Sequence, residues 1–514
     1  MPSTFRHAAQ TSLVALAAAM VLGAVPSLAV AQPSTPAAKT APAAQRPMNV
    51  LLIMSDDLGA RFGGYGFPEV KTPNLDRLAR EGVLFERAYT QFPQCAQSRA
   101  SFLTSRRPND TRVFDLKTNF RVALPDVVTL PQYFRQQGYF AGRVGKIFHQ
   151  GVPNDIGTGG PDDVPSWTEV VNPRGRDKEA EVAGRLVNMT PGIPFGAAWA
   201  YLEDEGKDAE QTDGIIAAEA VKMLEKHKDS PFFIAAGFYR PHVPDVAPKA
   251  YFDLYPLDTI RLEQTPPETA PVEPIMTSNI WPPHLGTSEA ERRKMMQAYY
   301  ASATFMDAQV GQILEALDRL GLKDNTIVVF MSDHGYQLGE HGQWQKNTLW
   351  EQSVRTPLIL RAPGARGNGA ASPRPVELLD IYPTLVELAG LPARSDLQGV
   401  SLTPLLAAPR ADWARPAYSQ VQGGRSVRTQ RWRYTEWEAG RVGASLYDLA
   451  ADPGELRNLA GDPKHAATVA QMHALLPKET VEPRGPAMIL YNREAKTVRF
   501  APYPRPATAV SNTR

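Results

Sequence analysis

Two short apolar runs end in acidic groups. Val50 to Met54 leads through Ser55 to Asp56-Asp57, and Ile327 to Met331 leads through Ser332 to Asp333-His334. If both runs are neighbouring strands of an open α/β sheet, the residues just beyond them share the crevice at the strands' carboxyl ends. Three ionised carboxylates cannot crowd there without a compensating charge. A hard divalent cation with oxygen ligands supplies one. Asp56, Asp57 and Asp333 are therefore candidate metal ligands, and His334 adds a nitrogen ligand or touches the substrate. On the residues alone Ca²⁺ or Mg²⁺ fits the set best, with Mn²⁺ behind them. An isolated Asp-Asp pair more often shapes a turn or caps a helix; the repeated pattern at two distant places points to the metal instead.

Cys95 is the chain's one cysteine. It lies in Gln94-Cys95-Ala96-Gln97-Ser98-Arg99, ahead of a helix expected from about Ser98 to Thr104. The positive end of a helix dipole stabilises an anion at such a place, and Arg99 adds a fixed charge. A lone cysteine can also be a buried, inert packing residue, but these neighbours are polar. Further candidates follow other apolar runs: Lys146 and His149 after Phe140 to Val144, and Arg240-Pro241-His242 after Phe232 to Phe238. Taken singly, the lysines would be surface charges and the histidines packed rings.

The elements that must position these groups are legible in outline. Unalternated apolar runs fit strands buried on both faces. Between them lie helix signals. Thr72-Pro73 opens a helix that Gly82 closes, Thr212 to His227 is amphipathic, and Ser288 with Glu291 forms a capping box for a long helix ending near Gly321. Alternating strands and helices predict an α/β fold with a large, mostly parallel, doubly wound sheet. This catalytic part is expected over 49–406. Short basic and aromatic strand-like pieces, Arg431 to Thr435 and Ser445 to Leu449 among them, predict a smaller antiparallel sheet within 407–481. The Pro-rich stretch 482–514 reads as an irregular tail. Loops between Asp155 and Trp199 are expected to shape the pocket.

With 514 residues, 43% of them apolar, the chain can bury a sizeable core. A net charge of +1 argues against nucleic-acid binding, which needs a basic excess. The first residues read as an export signal over 1–31: Arg6 and His7, an apolar run from Leu13 to Val25, and the small-x-small site Ala29-Val30-Ala31. The run is short for a membrane anchor. Residues 32–48, rich in Ala, Pro and Thr, read as a disordered linker. The expected location is periplasmic or secreted, with no membrane span left after cleavage. An exported chain without paired cysteines makes Cys95 harder to dismiss as structural.

Cys95-Ala96-Gln97-Ser98-Arg99 resembles the sulfatase signature Cys-x-Pro-Ser-Arg. The resemblance runs from Asn49 to about Leu459 and is strongest toward the iduronate-2-sulfatase-like branch. It is carried by Leu52 to Asp57, Ser101 to Pro108, Val144 to His149, Arg240 to Pro244, and Ser332 to Gly335 through Gly339 to Gly342 and on to Lys346. It implies an alkaline phosphatase-like fold and hydrolysis of a sulfate ester, on a small molecule or a glycan such as a 2-sulfated uronate. It also implies oxidation of Cys95 to formylglycine, an aldehyde whose hydrate attacks sulfur with one hydroxyl and expels sulfate through the other. By the same resemblance Asp56, Asp57, Asp333 and His334 hold Ca²⁺, with residue 95 completing the shell. Arg99 stabilises the diol oxyanion, and Lys146, Lys346, His149 and His242 surround the sulfate. His242 is the first candidate to protonate the leaving alcohol and Lys346 its rival.

Gln97 occupies the position of the signature proline, which formylglycine-making enzymes read together with the later arginine. Residue 95 is thus either aldehyde or thiol. Two competing functions remain on the residues alone: a phosphate or phosphonate ester hydrolase of the same superfamily, and a non-catalytic binder of sulfated glycans.

Overall fold

The structure, a computed structural model, describes residues 47–263, 279–478 and 488–501. The export signal over 1–31, and the linker up to residue 46, lie outside the described residues.

The main sheet is built from β1 (Asn49–Ser55), β2 (Val83–Tyr89), β3 (Phe140–Gly145), β4 (Glu169–Val171), β5 (Phe232–Gly237), β6 (Thr326–Ser332), β7 (Arg355–Thr356), β8 (Leu358–Arg361) and β9 (Ala371–Glu377). The order is β7-β2-β8-β6-β1-β5-β3-β4, with β9 paired to β2. From β6 to β4 every pairing is parallel. Beyond β6 the sheet becomes mixed: β8 runs antiparallel to β6 and to β2, and β7, separated from β8 by Pro357, also runs antiparallel to β2. The expected mostly parallel sheet is present: five of its eight strand pairings are parallel, β9 with β2 among them, and the three antiparallel ones are all made by β7 or β8. Short strands joined by short bends do not announce direction in the sequence.

Both faces of this sheet are covered, which is why its central strands are unbroken apolar runs. Alternate residues enter two separate cores. Leu51, Ile53, Val328 and Phe330 join α1 (Pro73–Glu81), α4 (Thr212–His227) and α5 (Glu289–Arg319) on one side. Val50, Leu52, Met54, Ile327, Val329 and Met331 join α2 (Cys95–Thr104), α3 (Leu130–Gln136) and α6 (Ile381–Leu388) on the other. Each such side chain, fully buried, contributes about 1.5–3 kcal/mol. The helix ends follow their sequence signals. Pro73 stands in the first turn of α1 with Gly82 at its C-cap, and Ser288 and Glu291 close the capping box of α5.

A four-stranded antiparallel sheet comes next: β10 (Ala417–Val421), β11 (Gly424–Arg428), β12 (Trp432–Trp437) and β13 (Ala444–Asp448), packed against α7 (Ala466–Leu475). It starts earlier than the basic-aromatic pieces suggested. It is pinned to the segment leading into α2. Ser419 Oγ donates to Thr90 O at 2.6 Å and Gln420 N to Gln91 O at 2.9 Å. The stretch read as an irregular tail holds a hairpin, β14 (Met488–Asn492) and β15 (Thr497–Ala501), which pairs in parallel with Ile280–Trp281. Alternation in Met488 to Asn492 and Thr497 to Ala501 is compatible with strands; flanking prolines masked it. Among the described residues no helix is long and apolar enough to cross a membrane.

Candidate active site

β1 and β6 are adjacent and in register, Ser55 opposite Ser332. Asp56-Asp57 and Asp333-His334 therefore leave the sheet side by side, at its carboxyl edge. Leu58 N donates to Ser332 Oγ at 2.9 Å and Asp57 N to Asp333 Oδ1 at 3.3 Å, locking the two exits together. Asp57 has φ 66°, a left-handed conformation that aspartate tolerates and most residues avoid. β5 flanks β1 on its other side and delivers His242. β3 flanks β5 and delivers Lys146. All of these side chains are buried.

The helix α2 starts at Cys95, three residues earlier than expected, with Gln94 as its N-cap. Cys95 is thus the first helical residue and Arg99 lies one turn further on the same face. Gln97 is the third helical residue, where the backbone N–H has no intrahelical acceptor. Proline or glutamine both fit the helix there. Gln97 is buried, its Nε2 donates to Gln94 Oε1 at 2.6 Å, and its Oε1 has no partner.

Arg99 is the hub. Its Nε donates to Asp333 Oδ2 at 2.9 Å, its Nη2 to Asp56 Oδ1 at 3.0 Å, and its Nη1 to the carbonyls of Lys146 and Ile147, both at 2.9 Å. Lys146 Nζ donates to Asp56 Oδ2 at 2.5 Å. Lys346 Nζ reaches Asp57 Oδ1 at 2.5 Å and Cys95 Sγ at 3.1 Å. Three carboxylates thus face three fixed cations, so part of the charge compensation assigned above to a metal comes from the protein. Burial would push the Asp56 carboxyl up, but Lys146 and Arg99 override it and hold the group well below the usual range. Burial, reinforced by Asp56, pushes the Cys95 thiol well up, against Lys346 and Lys146.

The donor set still fits a hard cation. Asp56, Asp57, Cys95 and His242 offer ligand atoms all within 4.8 Å of one another, and so do Cys95, Asp333 and His334. Asp57 Oδ2 is buried without a hydrogen-bond partner. His334 Nδ1 lies 2.8 Å from Gly335 O, and His242 Nδ1 lies 2.6 Å from Val243 O. A carbonyl only accepts, so both rings carry their proton on Nδ1 and turn Nε2 inward. His334 Nε2 then sits 3.2 Å from Asp57 Oδ1 and 3.4 Å from Cys95 Sγ, and His242 Nε2 3.7 Å from Asp57 Oδ2. Lone pairs facing carboxylate oxygens call for a cation or a further proton between them. Burial holds His242 down to about 4, against the pull of Asp57, so its ring is neutral at pH 7.

Of the ten expected residues, nine are joined by these contacts. His149 stands at the edge, half-buried, with Nδ1 lacking a partner; burial and Lys146 push it down to about 2. Three further groups support the site: Ser98, which lies in the signature stretch, and two that carried no signal in the sequence. Ser98 Oγ donates to Asp333 O and accepts from Thr90 Oγ1. Tyr299, inside α5, donates its hydroxyl to Asp57 O at 2.9 Å and accepts from Gly59 N at 2.8 Å. Asn279 Nδ2 donates to Lys346 O at 2.8 Å. A strand end with a reactive residue just past it can be recognised locally; Tyr299 and Asn279 come from far along the chain.

Gly237 shows how tightly the backbone is drawn together. Lys146 N donates to Gly237 O at 2.8 Å, and an ideal Cβ at 237 would fall 1.9 Å from Lys146 O. Gly237→Ala must push the Lys146 backbone, and with it an Arg99 contact, out of place. Displacements near 1 Å at a reacting centre lower rates by about a hundredfold, so kcat/KM on an aryl sulfate is expected to fall at least about tenfold in this variant. An unchanged value would show that Lys146 tolerates the shift.

The chain matches the Sulfatase family model over residues 48–391, and the model of the C-terminal part of N-sulphoglucosamine sulphohydrolase over residues 339–482. It is 36% identical over 398 residues to iduronate 2-sulfatase of Mus musculus, covering 67% of this chain and 69% of that protein. It is 34% identical over 461 residues to a sulfatase of Formosa agariphila, covering 84% and 86%. The solved structure of a 2-O GAG sulfatase superposes with a TM-score of 0.64 at 25% identity, covering 84% of this chain and 91% of that one. With its alkaline phosphatase-like sheet and a separate antiparallel subdomain, the chain belongs to the sulfatase family, in the iduronate-2-sulfatase-like branch, and is a sulfuric ester hydrolase.

Proposed function

We propose that residue 95, as formylglycine, is the nucleophile of a Ca²⁺-dependent sulfatase acting on a sulfated sugar of the 2-sulfated uronate type. The observation that carries this reading is the placement of the Cys95 side chain between Lys346, His334 and Asp57 in a buried pocket of three carboxylates and three cations. Burial pushes the thiol up, against the pull of Lys346 and Lys146, and a protonated thiol is a poor nucleophile. A hydrated aldehyde at this position supplies one hydroxyl to attack sulfur and a second through which sulfate is expelled, sparing the enzyme an attack by water on a crowded centre.

Asp56, Asp57, Asp333 and His334 would hold the cation, which supplies Lewis-acid stabilisation of charge on the sulfate oxygens when bound. Lys146 and Lys346 face the same oxygens with fixed charge. Arg99 holds Asp56 and Asp333 at fixed separation and orients the helix that presents residue 95. His149 borders the sulfate position with a neutral ring. The proton for the leaving alcohol is assigned to Lys346 over His242: the lysine is charged and its Nζ lies 3.1 Å from the residue-95 side chain, whereas the His242 ring is neutral. The substrate class is supported by the names of the relatives, an iduronate 2-sulfatase and a 2-O GAG sulfatase. Export, to the periplasm or outside, completes the proposal and rests on residues 1–31.

Two assays test it. Purified protein should release sulfate from sulfate esters and much less product from phosphonate esters. Chelator should abolish the activity and Ca²⁺ restore it. Full turnover by protein verified metal-free contradicts the cation, and glycan binding without turnover would mark a binder instead. For the proton donor, Lys346→Met should lose about tenfold more kcat on an alkyl sugar sulfate than on a nitrophenyl sulfate, whose leaving group needs no proton. His242→Gln should lose equally on both. The opposite pattern returns the role to His242.

A further inference from the structure

Lys346 is carried on a loop that does not support itself. Its neighbours Gln345 and Asn347 both have left-handed backbones, with φ 70° and 73°. Residues with side chains hold that conformation only where surrounding groups fix it. Asn347 N donates to Pro93 O at 3.0 Å, Gln345 Nε2 to Ala197 O at 2.8 Å, and Asn279 Nδ2 to Lys346 O at 2.8 Å. The last of these grips the lysine residue itself. Gln343 returns the contact: its Oε1 accepts from Asn279 N at 2.7 Å and from Ile280 N at 3.0 Å. Two buried side chains, Asn279 and Gln343, thereby tie residues 279–280 to residues 343–346.

The strand Ile280–Trp281 has two residues and takes its place from the hairpin β14–β15. Ile489 lies opposite Ile280 and Leu490 opposite Trp281, and Ile489 N donates to Asn279 O at 2.8 Å. The hairpin is anchored in turn. Ile489 and Tyr491 are buried in the same core as Ile280, Leu285 and Trp344. The Tyr491 hydroxyl donates to Pro191 O at 3.1 Å, and Arg493 pairs with Glu291 in the first turn of α5. An ideal Cβ at Gly192 would fall 2.2 Å from Lys496 O, so the hairpin turn sits directly on the 191–192 backbone. All of this lies beyond the residues that either family model matches.

We propose that Asn279 is the positioning residue for Lys346, and that the hairpin β14–β15, by holding the Asn279 backbone, sets where the lysine ammonium stands relative to Asp57 and residue 95. The inference rests on Lys346 acting at the reacting centre and adds the device that keeps it there. Asn279 touches no reacting atom and works only through the Lys346 backbone. Without its amide the loop loses a restraint, and Nζ, now 2.5 Å from Asp57 Oδ1 and 3.1 Å from Cys95 Sγ, drifts from both. The loss therefore falls on kcat.

Turnover of the methyl glycoside of a 2-sulfated uronate tests it. Asn279→Leu should lower kcat at least about tenfold, and Asn279→Asp, whose carboxylate cannot donate, should lose as much. In a Lys346→Met background the same Asn279→Leu change should cost less than about twofold, because nothing is left to position. Ile489→Pro removes the N–H that holds Asn279 and should reproduce both results, whereas Ile489→Val keeps it and should restore most of the rate. Should Ile489→Pro fail to fold, Gly192→Ala replaces it and should lose in the same direction by pushing the hairpin turn. The assignment is overturned by a full Asn279→Leu loss in the Lys346→Met background, or by equal losses in Ile489→Val and Ile489→Pro. It is also overturned by a kcat within about twofold of the parent in Asn279→Leu or in the hairpin variant. If Lys346→Met leaves kcat unchanged, or the parent does not turn over the glycoside, the reading of Lys346 or of the substrate fails by itself. Acylation of Lys346, buried in the parent, then decides, read from the mass of the tryptic peptide Asp324 to Arg355. Labelling at least about fivefold faster in Asn279→Leu and in the hairpin variant supports the positioning role, and labelling at the parent rate overturns it.

Discussion

Cys95→Ala is expected to lower sulfate-ester turnover by more than about a thousandfold while shifting the melting temperature by no more than about 2 °C. The rate loss comes from the position of the side chain. Sγ is the atom that Lys346, His334 and Asp57 surround, at 3.1, 3.4 and 3.8 Å. The small stability effect comes from the same geometry. Lys346 keeps its ion pair with Asp57 after the sulfur is gone, and the void left by one atom is minor beside a true cavity. Assay on 4-nitrophenyl sulfate with thermal unfolding separates the two quantities. Residual turnover above a few per cent would mean that the residue-95 side chain does not attack.

Arg99→Met is expected to act on both. The guanidinium is fully buried and spans two carboxylates and two carbonyls. Removing it leaves Asp56 and Asp333 charged, buried and short of a partner, a loss of about 3–5 kcal/mol. Arg99→Lys should recover little, since an ammonium cannot reach both carboxylates in the planar, forked geometry. Turnover should fall by at least about a thousandfold, because the helix N-terminus and the acidic pair lose their common anchor. Urea unfolding with chelator and with excess Ca²⁺ gives a second readout. A bound cation offsets part of the lost charge, so the deficit should shrink when Ca²⁺ is added. An equal deficit in both conditions would show that no cation binds near Asp56 and Asp333.

How much of this was readable from residues alone varies with distance along the chain. The exits at Asp56-Asp57 and Asp333-His334 were legible because a strand buried on both faces writes itself as an unbroken apolar run, and the residues directly after such a run sit at the sheet's edge. The register of Ser55 with Ser332 was not, since the long stretch of chain between them carries no mark of pairing. Cys95 stands out as the only cysteine, yet its helix starts three residues before the position that the spacing predicts. Gln94 is not among the favoured N-cap residues, and its side chain makes no capping bond. The charge balance by Arg99, Lys146 and Lys346 was likewise hidden: spacing shows which residues are near a strand end, not which carboxylate each lysine meets. Tyr299 is invisible for another reason. Within α5 it reads as one more apolar core position, and only the packed structure turns its hydroxyl toward Asp57. The hairpin at 488–501 was hidden by surrounding prolines.

The most direct test is the mass of the tryptic peptide Ala88 to Arg99 from active protein. The structure gives residue 95 a pocket whose burial disfavours a thiolate and in which an aldehyde hydrate would lie among fixed cations. Active protein should therefore yield a peptide in which the –CH2SH of Cys95 has become –CHO, in proportion to specific activity. A fully active preparation whose peptide carries only the unmodified thiol would contradict the account at its centre.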